Sequence, residues 1–229
     1  MRGTMVSLTA ADGHEFKAYE TGPADGAPVK GGLVLVQEIF GVTDHIKKLS
    51  DSFAEEGYRV LSPQLYDRNT RDYQTGYTPD DVQAAIEMRA RIDYDDTVRD
   101  VQACVDALQG AGPVFCTGFC YGGSVTWVAA ARVSGLTAVA GYYGGQIKQF
   151  IDLQPKCPTM LHFGAQDASI PEEDVDQIRA MHPDVIIHMY DADHGFQSDR
   201  PQHYDEAAAK QARQRSFAHF AAAAAATSA

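Results

Sequence analysis

An α/β fold with a mostly parallel eight-stranded sheet flanked by helices is predicted by two observations. Eight short apolar or alternating runs are spread along the 229 residues, and from the third onward most are separated by segments of helical spacing, the alternation that lays strands parallel beneath two layers of helices. Composition agrees: 45% apolar and 22% charged residues describe an ordinary globular chain without long disorder. At this length the whole of 1–229 reads as one domain.

Taken in order, Met5 to Thr9 and His14 to Tyr19 are joined by Ala11-Asp12-Gly13. An Asp-Gly pair favours a tight turn, so these two runs predict an antiparallel hairpin at one edge of the sheet. Gly22 to Pro28 is a loop by its Gly, Pro and Asp content. Leu33 to Gln37 and Tyr58 to Ser62 are strand-like and enclose the helical pattern Thr43 to Glu56. Pro79 to Gln109 reads as one long helix. Pro113 to Thr117 is an apolar strand that leads into a helix over Tyr121 to Val133. Strands at Ala138 to Tyr143, Thr159 to Phe163 and Val185 to Tyr190 follow, with a helix over Pro171 to Met181 before the last. The helix Tyr204 to Ala226 closes the pattern, and its low-complexity end Ala221 to Ala226 is expected to fray.

Charge and cysteine usage exclude several functions. Acidic residues number 31 and basic ones 19, a net charge of −12 that opposes phosphate backbones and anionic membranes. Nucleic acid and membrane are therefore not expected partners, and an anionic small substrate would need a specific arginine near the reactive centre. Cys104, Cys116, Cys120 and Cys157 have no metal or redox spacing, so no metal and no cofactor is expected. The opening Met1 to Leu8 lacks a signal-like apolar stretch, and a reducing cytoplasm fits the cysteines. The oligomeric state is left open, compatible with a monomer.

The most informative segment is Gly118-Phe119-Cys120-Tyr121-Gly122-Gly123, set between an apolar strand and a helix. A strand turning abruptly into a helix holds its corner residue in a strained conformation and needs glycines where the two elements meet. The corner side chain is pushed outward, and the N–H groups of the new helix, that of Tyr121 first, are aimed at any oxyanion forming beside the sulfur. The bland alternative, a cysteine packed as a small hydrophobe, does not explain this context.

A free thiol is only a few per cent ionised at neutral pH, so a nearby base is expected. Of eight histidines, His194 alone lies in a short loop after the last strand, at the carboxyl edge where ligands of open α/β sheets bind. Asp167 follows the strand ending at Phe163 by a short turn and reaches the same edge, while Asp191 and Asp193 are too close in sequence to fold back onto the ring. The order Cys120, Asp167, His194 is that of α/β-hydrolases. Glu38 runs off an apolar strand at the same edge, which suggests a carboxylate beside the thiol, with the N–H of Ile39 as a second oxyanion donor.

With these pieces the chain resembles the dienelactone hydrolase family of α/β-hydrolases from about Leu33 onward, through Gln37-Glu38-Ile39-Phe40-Gly41, the cysteine elbow, Gly141-Tyr142-Tyr143-Gly144, Gly164-Ala165-Gln166-Asp167 and Asp193-His194-Gly195-Phe196. The resemblance implies that Cys120, Asp167 and His194 form a triad. It also implies that Glu38 hydrogen-bonds the resting thiol and deprotonates it when substrate arrives, and that Phe40, Tyr143 and Arg200 meet a lactone or ester, dienelactone first. Family members grip a substrate carboxylate with two arginines, one of them four residues after the histidine. Here that position is Ser198, with Arg200 two residues on, and Arg68, Arg71, Arg89 and Arg91 are all open for the other. Two competing readings follow: an esterase or thioesterase for neutral substrates, and a non-catalytic ligand-binding or thiol-sensing protein using Cys116 and Cys120.

Overall fold

A computed structural model describes residues 1–227 and contains, among them, eight strands and six α-helices, with helices between most of the strands from the third onward. Contacts divide the chain into two compact units, the first of Met1–Phe115 with Val133–Gly135, the second of Cys116–Arg132 with Leu136–Ala229.

In the first unit, β1 (Thr4–Thr9) and β2 (Glu15–Thr21) form the expected antiparallel hairpin, in register from Thr4 opposite Glu20 to Thr9 opposite Glu15. Gly13 at φ 85° makes the turn, a conformation that costs glycine little. β2 pairs antiparallel with β4 (Tyr58–Pro63), and β4 pairs parallel with β3 (Gly31–Val36), giving the order β1-β2-β4-β3. β3 is buried at every residue, which is why its sequence is unbroken apolar rather than alternating. It starts two residues earlier than its apolar run: a Cβ on Gly32 would lie 2.6 Å from Leu108 Cβ, so this strand residue is a glycine because a helix crosses it closely. α1 (Asp44–Glu55) connects β3 to β4.

The single helix expected over Pro79 to Gln109 is two: α2 (Pro79–Ala90) and α3 (Tyr94–Leu108). Both halves carry their own start signal. Thr78 and Asp81 form a reciprocal capping box ahead of α2, and Asp93, in extended conformation, accepts the N–H of Asp95 ahead of α3. A residue that caps a new helix cannot also continue the old one.

β5 (Val114–Phe119) leads from the first unit into the second, where β6 (Ala138–Tyr142), β7 (Thr159–Gly164) and β8 (Ile186–Tyr190) follow in that spatial order, β6 to β8 all parallel. α4 (Tyr121–Arg132) is buried from Tyr121 to Ala131, matching a sequence that is small and apolar all round. Its Trp127 is fully buried and donates Nε1–H to Phe150 O at 2.9 Å. α5 (Glu172–Met181) precedes β8, and α6 (Glu206–Thr227) packs on β6 and β7. The alanine run does not fray: α6 continues through it with Ala223 buried, and the Thr227 hydroxyl donates to Ala223 O at 2.9 Å. Alanine has the highest helix propensity of any residue, which carries the helix through a stretch that is mostly exposed.

Candidate active site

Cys120 stands between β5 and α4 at φ 56°, the left-handed region that L residues rarely occupy. Two glycines make that corner possible. A Cβ on Gly118 would sit 2.2 Å from Gly122 O, and one on Gly123 would sit 2.2 Å from Tyr142 O. The corner is pinned by the Cys120 N–H donating to Tyr142 O at 3.0 Å and by Ser124 N–H donating to Cys120 O at 3.2 Å. Strain of this kind costs on the order of 1–3 kcal/mol and persists only where the surroundings over-determine it. The half-buried thiol is thereby set at the N-terminal end of α4, whose first residue is Tyr121.

His194 lies in the loop after β8, and its Nδ1 is 2.6 Å from Oδ2 of Asp167, which follows β7. The alternatives are occupied elsewhere: Asp193 accepts the backbone N–H of His194, and Asp191 accepts from Gln166 Nε2. The ring of Tyr143 rests against the imidazole, centroids 5.0 Å apart, and Tyr143 is itself at φ 38° and fully buried. Burial by itself would lower the pKa of His194. The hydrogen bond to Asp167 and then the contact with Cys120 outweigh it, and the imidazole is pushed up to about 10. A place between a carboxylate and the sulfur thus favours the cationic form of the ring. Burial pushes Asp167 the other way from its hydrogen bonds, which win: the bonds from His194 and Ser169 hold its carboxyl below the usual range.

Two features of this loop cluster were not expected from the sequence. Ser169 donates to the far oxygen of Asp167, and Ser198 anchors Arg200. Ser198 is fully buried, and its Oγ accepts both the backbone N–H and the Nε–H of Arg200 at 3.1 Å. The guanidinium passes close over Gly195, where a Cβ would lie 3.0 Å from Nη2. An Asp-x-Ser and a Ser-x-Arg spacing were the signals available, and both are too common in loops to stand out.

The remaining expected residues lie in the first unit. Glu38, two residues beyond β3, is 2% exposed, and Gln37 Nε2 donates to its carbonyl oxygen at 3.3 Å. The carbonyl of Ile39 accepts the Tyr66 hydroxyl at 2.9 Å, and Phe40 packs edge-on against Tyr77. Of the arginines open for a second carboxylate contact, Arg68 is committed to protein: it bonds Asp12 and the buried Asp100. Arg89 lies over the Tyr94 ring, and Arg71 pairs with Asp67 at 3.6 Å. Arg91 caps the C-terminus of α2.

Known proteins resemble this chain over most of its length. A family model described as the Dienelactone hydrolase family matches residues 16–224. A provisionally named carboxymethylenebutenolidase of Salmonella typhimurium is 32% identical over 238 residues, covering 94% of this chain and 86% of that one. Carboxymethylenebutenolidase 1 of Cupriavidus pinatubonensis is 27% identical, covering 93% and 94%. Among solved structures, a provisionally named dienelactone hydrolase from Klebsiella pneumoniae superposes with a TM-score of 0.81 at 28% identity, over 95% of this chain and 99% of that one.

Proposed function

The chain belongs to the dienelactone hydrolase family, α/β-hydrolases acting on small lactones or esters, and from that premise we propose that it opens its substrate through an acyl-thioester on Cys120. The observation that carries this reading is a cysteine held at φ 56° on a strand-to-helix corner, in contact with a histidine whose other nitrogen is bound by a buried aspartate. His194 is the proposed proton carrier beside the sulfur, and Asp167 orients its ring and stabilises the imidazolium.

In the first half-reaction the Cys120 thiol gives its proton to Glu38, the resulting thiolate attacks the carbonyl carbon and the carbonyl oxygen becomes an oxyanion. Backbone N–H groups of Tyr121 and Ile39 are the proposed donors to it, each worth about 3 kcal/mol in comparable sites. Collapse breaks the C–O bond, and His194 gives its proton to the departing oxygen. In the second half the neutral imidazole takes a proton from water, the hydroxide attacks the thioester and the thiolate is expelled; the acid product leaves and loses its proton to solvent, the imidazolium is restored, and Glu38 returns its proton to the sulfur. For Glu38 we propose the role implied by the family resemblance, holding and then removing the thiol proton. Alkylation of Cys120 at an unchanged rate in Glu38→Gln would remove it from the mechanism.

Dienelactone is the leading substrate, with Arg200 and the apolar rings of Phe40 and Tyr143 as the binding groups, and 1–229 is taken as one catalytic domain of the cytoplasm. The test is the loss of ultraviolet absorbance of dienelactone on mixing with the protein, beside Cys120→Ala. Rapid loss with the native chain alone is expected, and a fully active alanine variant overturns the assignment.

One observation favours a neutral ester or thioester instead: where the family has an arginine stands Ser198, buried and spent on Arg200. In that case Arg200→Ala leaves hydrolysis of an anionic lactone unchanged. The thiol-sensor reading loses its second thiol, because Cys116 is fully buried and burial pushes its pKa up to about 12.

A further inference from the structure

Asp167 has two carboxylate oxygens, and only one faces His194. Oδ2 lies 2.6 Å from Nδ1 of the ring. Oδ1, on the far side, accepts the backbone N–H of Ser169 at 2.9 Å and the Ser169 hydroxyl at 2.5 Å. A serine hydroxyl has one proton to donate. Spent on Oδ1, it leaves the oxygen's lone pairs toward Nδ1 of His194, 3.4 Å away. The hydroxyl thus touches both the acid and the base of the proposed triad.

From this geometry we infer that Ser169 is a positioning residue for the triad: its hydroxyl anchors the rear oxygen of Asp167 so that the front oxygen stays on the imidazole of His194. The inference rests on reading Cys120, His194 and Asp167 as that triad, and it adds a fourth side chain.

Local turn chemistry accounts for only half of the contact. An aspartate commonly accepts the N–H two residues on, and any residue at 169 would supply that N–H. The hydroxyl is a separate donor. Nor is it needed for packing: Ser169 is exposed, whereas its neighbour Ile170 is buried and its N–H closes the loop onto Asp167 O at 3.1 Å. Torsion about the bond to a carboxylate is broad and two-fold, so one anchor leaves the carboxylate plane free to swing. A second anchor on the same oxygen fixes it. The bond that benefits is charge-assisted, the kind most sensitive to alignment.

The test uses the full chain, 4-nitrophenyl acetate as the substrate, and four variants: Ser169→Ala, Ser169→Thr, Asp167→Ala and the double alanine. Ser169→Ala is expected to lower kcat roughly tenfold with KM nearly unchanged, because the loss falls on the transition state rather than on binding. Its thermal midpoint should match that of the native chain, and threonine, which keeps the hydroxyl, should restore kcat. If Ser169 acts through Asp167, adding Ser169→Ala to Asp167→Ala costs nothing further. Native kcat in Ser169→Ala overturns the inference, and so does an equal loss in both backgrounds. Native kcat in Asp167→Ala is a different failure, since it overturns the triad reading itself.

Discussion

His194 is the residue on which the electrostatics of the site turn. Its pKa is raised on folding, from an ordinary 6.5 to about 10, because the bond to Asp167 and the contact with Cys120 exceed the opposing effect of burial. For a base whose pKa rises on folding, the linked stability is fully present below the unfolded value and is lost as pH climbs through the folded one. The denaturation midpoint of the native chain should therefore exceed that of His194→Gln at neutral pH, with the gap closing between 6.5 and about 10. A gap that widens with pH would show that the imidazole is neutral in the fold. At this scale the sequence was legible where chemistry restricts the choice: few residues besides cysteine put a nucleophile on a glycine-flanked corner. It was illegible where one common side chain supports another. Ser169 and Ser198 look like ordinary loop serines, and only the chain's return path shows what their hydroxyls touch.

At the scale of elements, the corner between β5 and α4 depends on close approach of backbones. In Gly123→Ala the new methyl would meet the carbonyl oxygen of Tyr142 at 2.2 Å. Backbone cannot yield as a side chain can, so α4 must back away from β6, at a cost of about 3 kcal/mol. The same carbonyl holds the N–H of Cys120, so the variant should lose both thermal midpoint and turnover. Unfolding scans and the absorbance assay read the two together, and an active, equally stable alanine variant would show that the corner is tolerant. The break at Asp93 was written in the sequence too, as a capping residue followed by two more acids, but helical periodicity on both sides masks a local interruption. The ends of β3 and α6 differ from the pattern for separate reasons: Gly32 is a poor strand residue recruited by the close approach of Leu108, whereas the low-complexity alanine run hides a high helix propensity.

Across the whole molecule, the net charge of −12 sets a field that every substrate crosses. For an anionic lactone that field is repulsive at long range and is screened by salt within a Debye length of about 10 Å at 0.1 M. Its kcat/KM should rise modestly as ionic strength increases, while that of a neutral ester stays level. A fall with salt for the anion would mean that local attraction, with Arg200 the leading source, dominates the approach. Two anionic and neutral substrates measured in parallel separate this effect from a general effect of salt on the fold.

The sequence by itself determined the fold class, the antiparallel hairpin and the identity of the cysteine corner, because strand alternation, turn residues and glycine spacing are local properties of the chain. Tertiary structure alone decided that Arg68 serves Asp12 and Asp100 rather than a ligand, that Ser198 anchors Arg200, and that a serine hydroxyl stands behind Asp167. Those are contacts between loops that are distant in sequence or indistinguishable in composition. A hydrogen bond is fixed by the position and direction of its two atoms, and no pattern along a single chain encodes either.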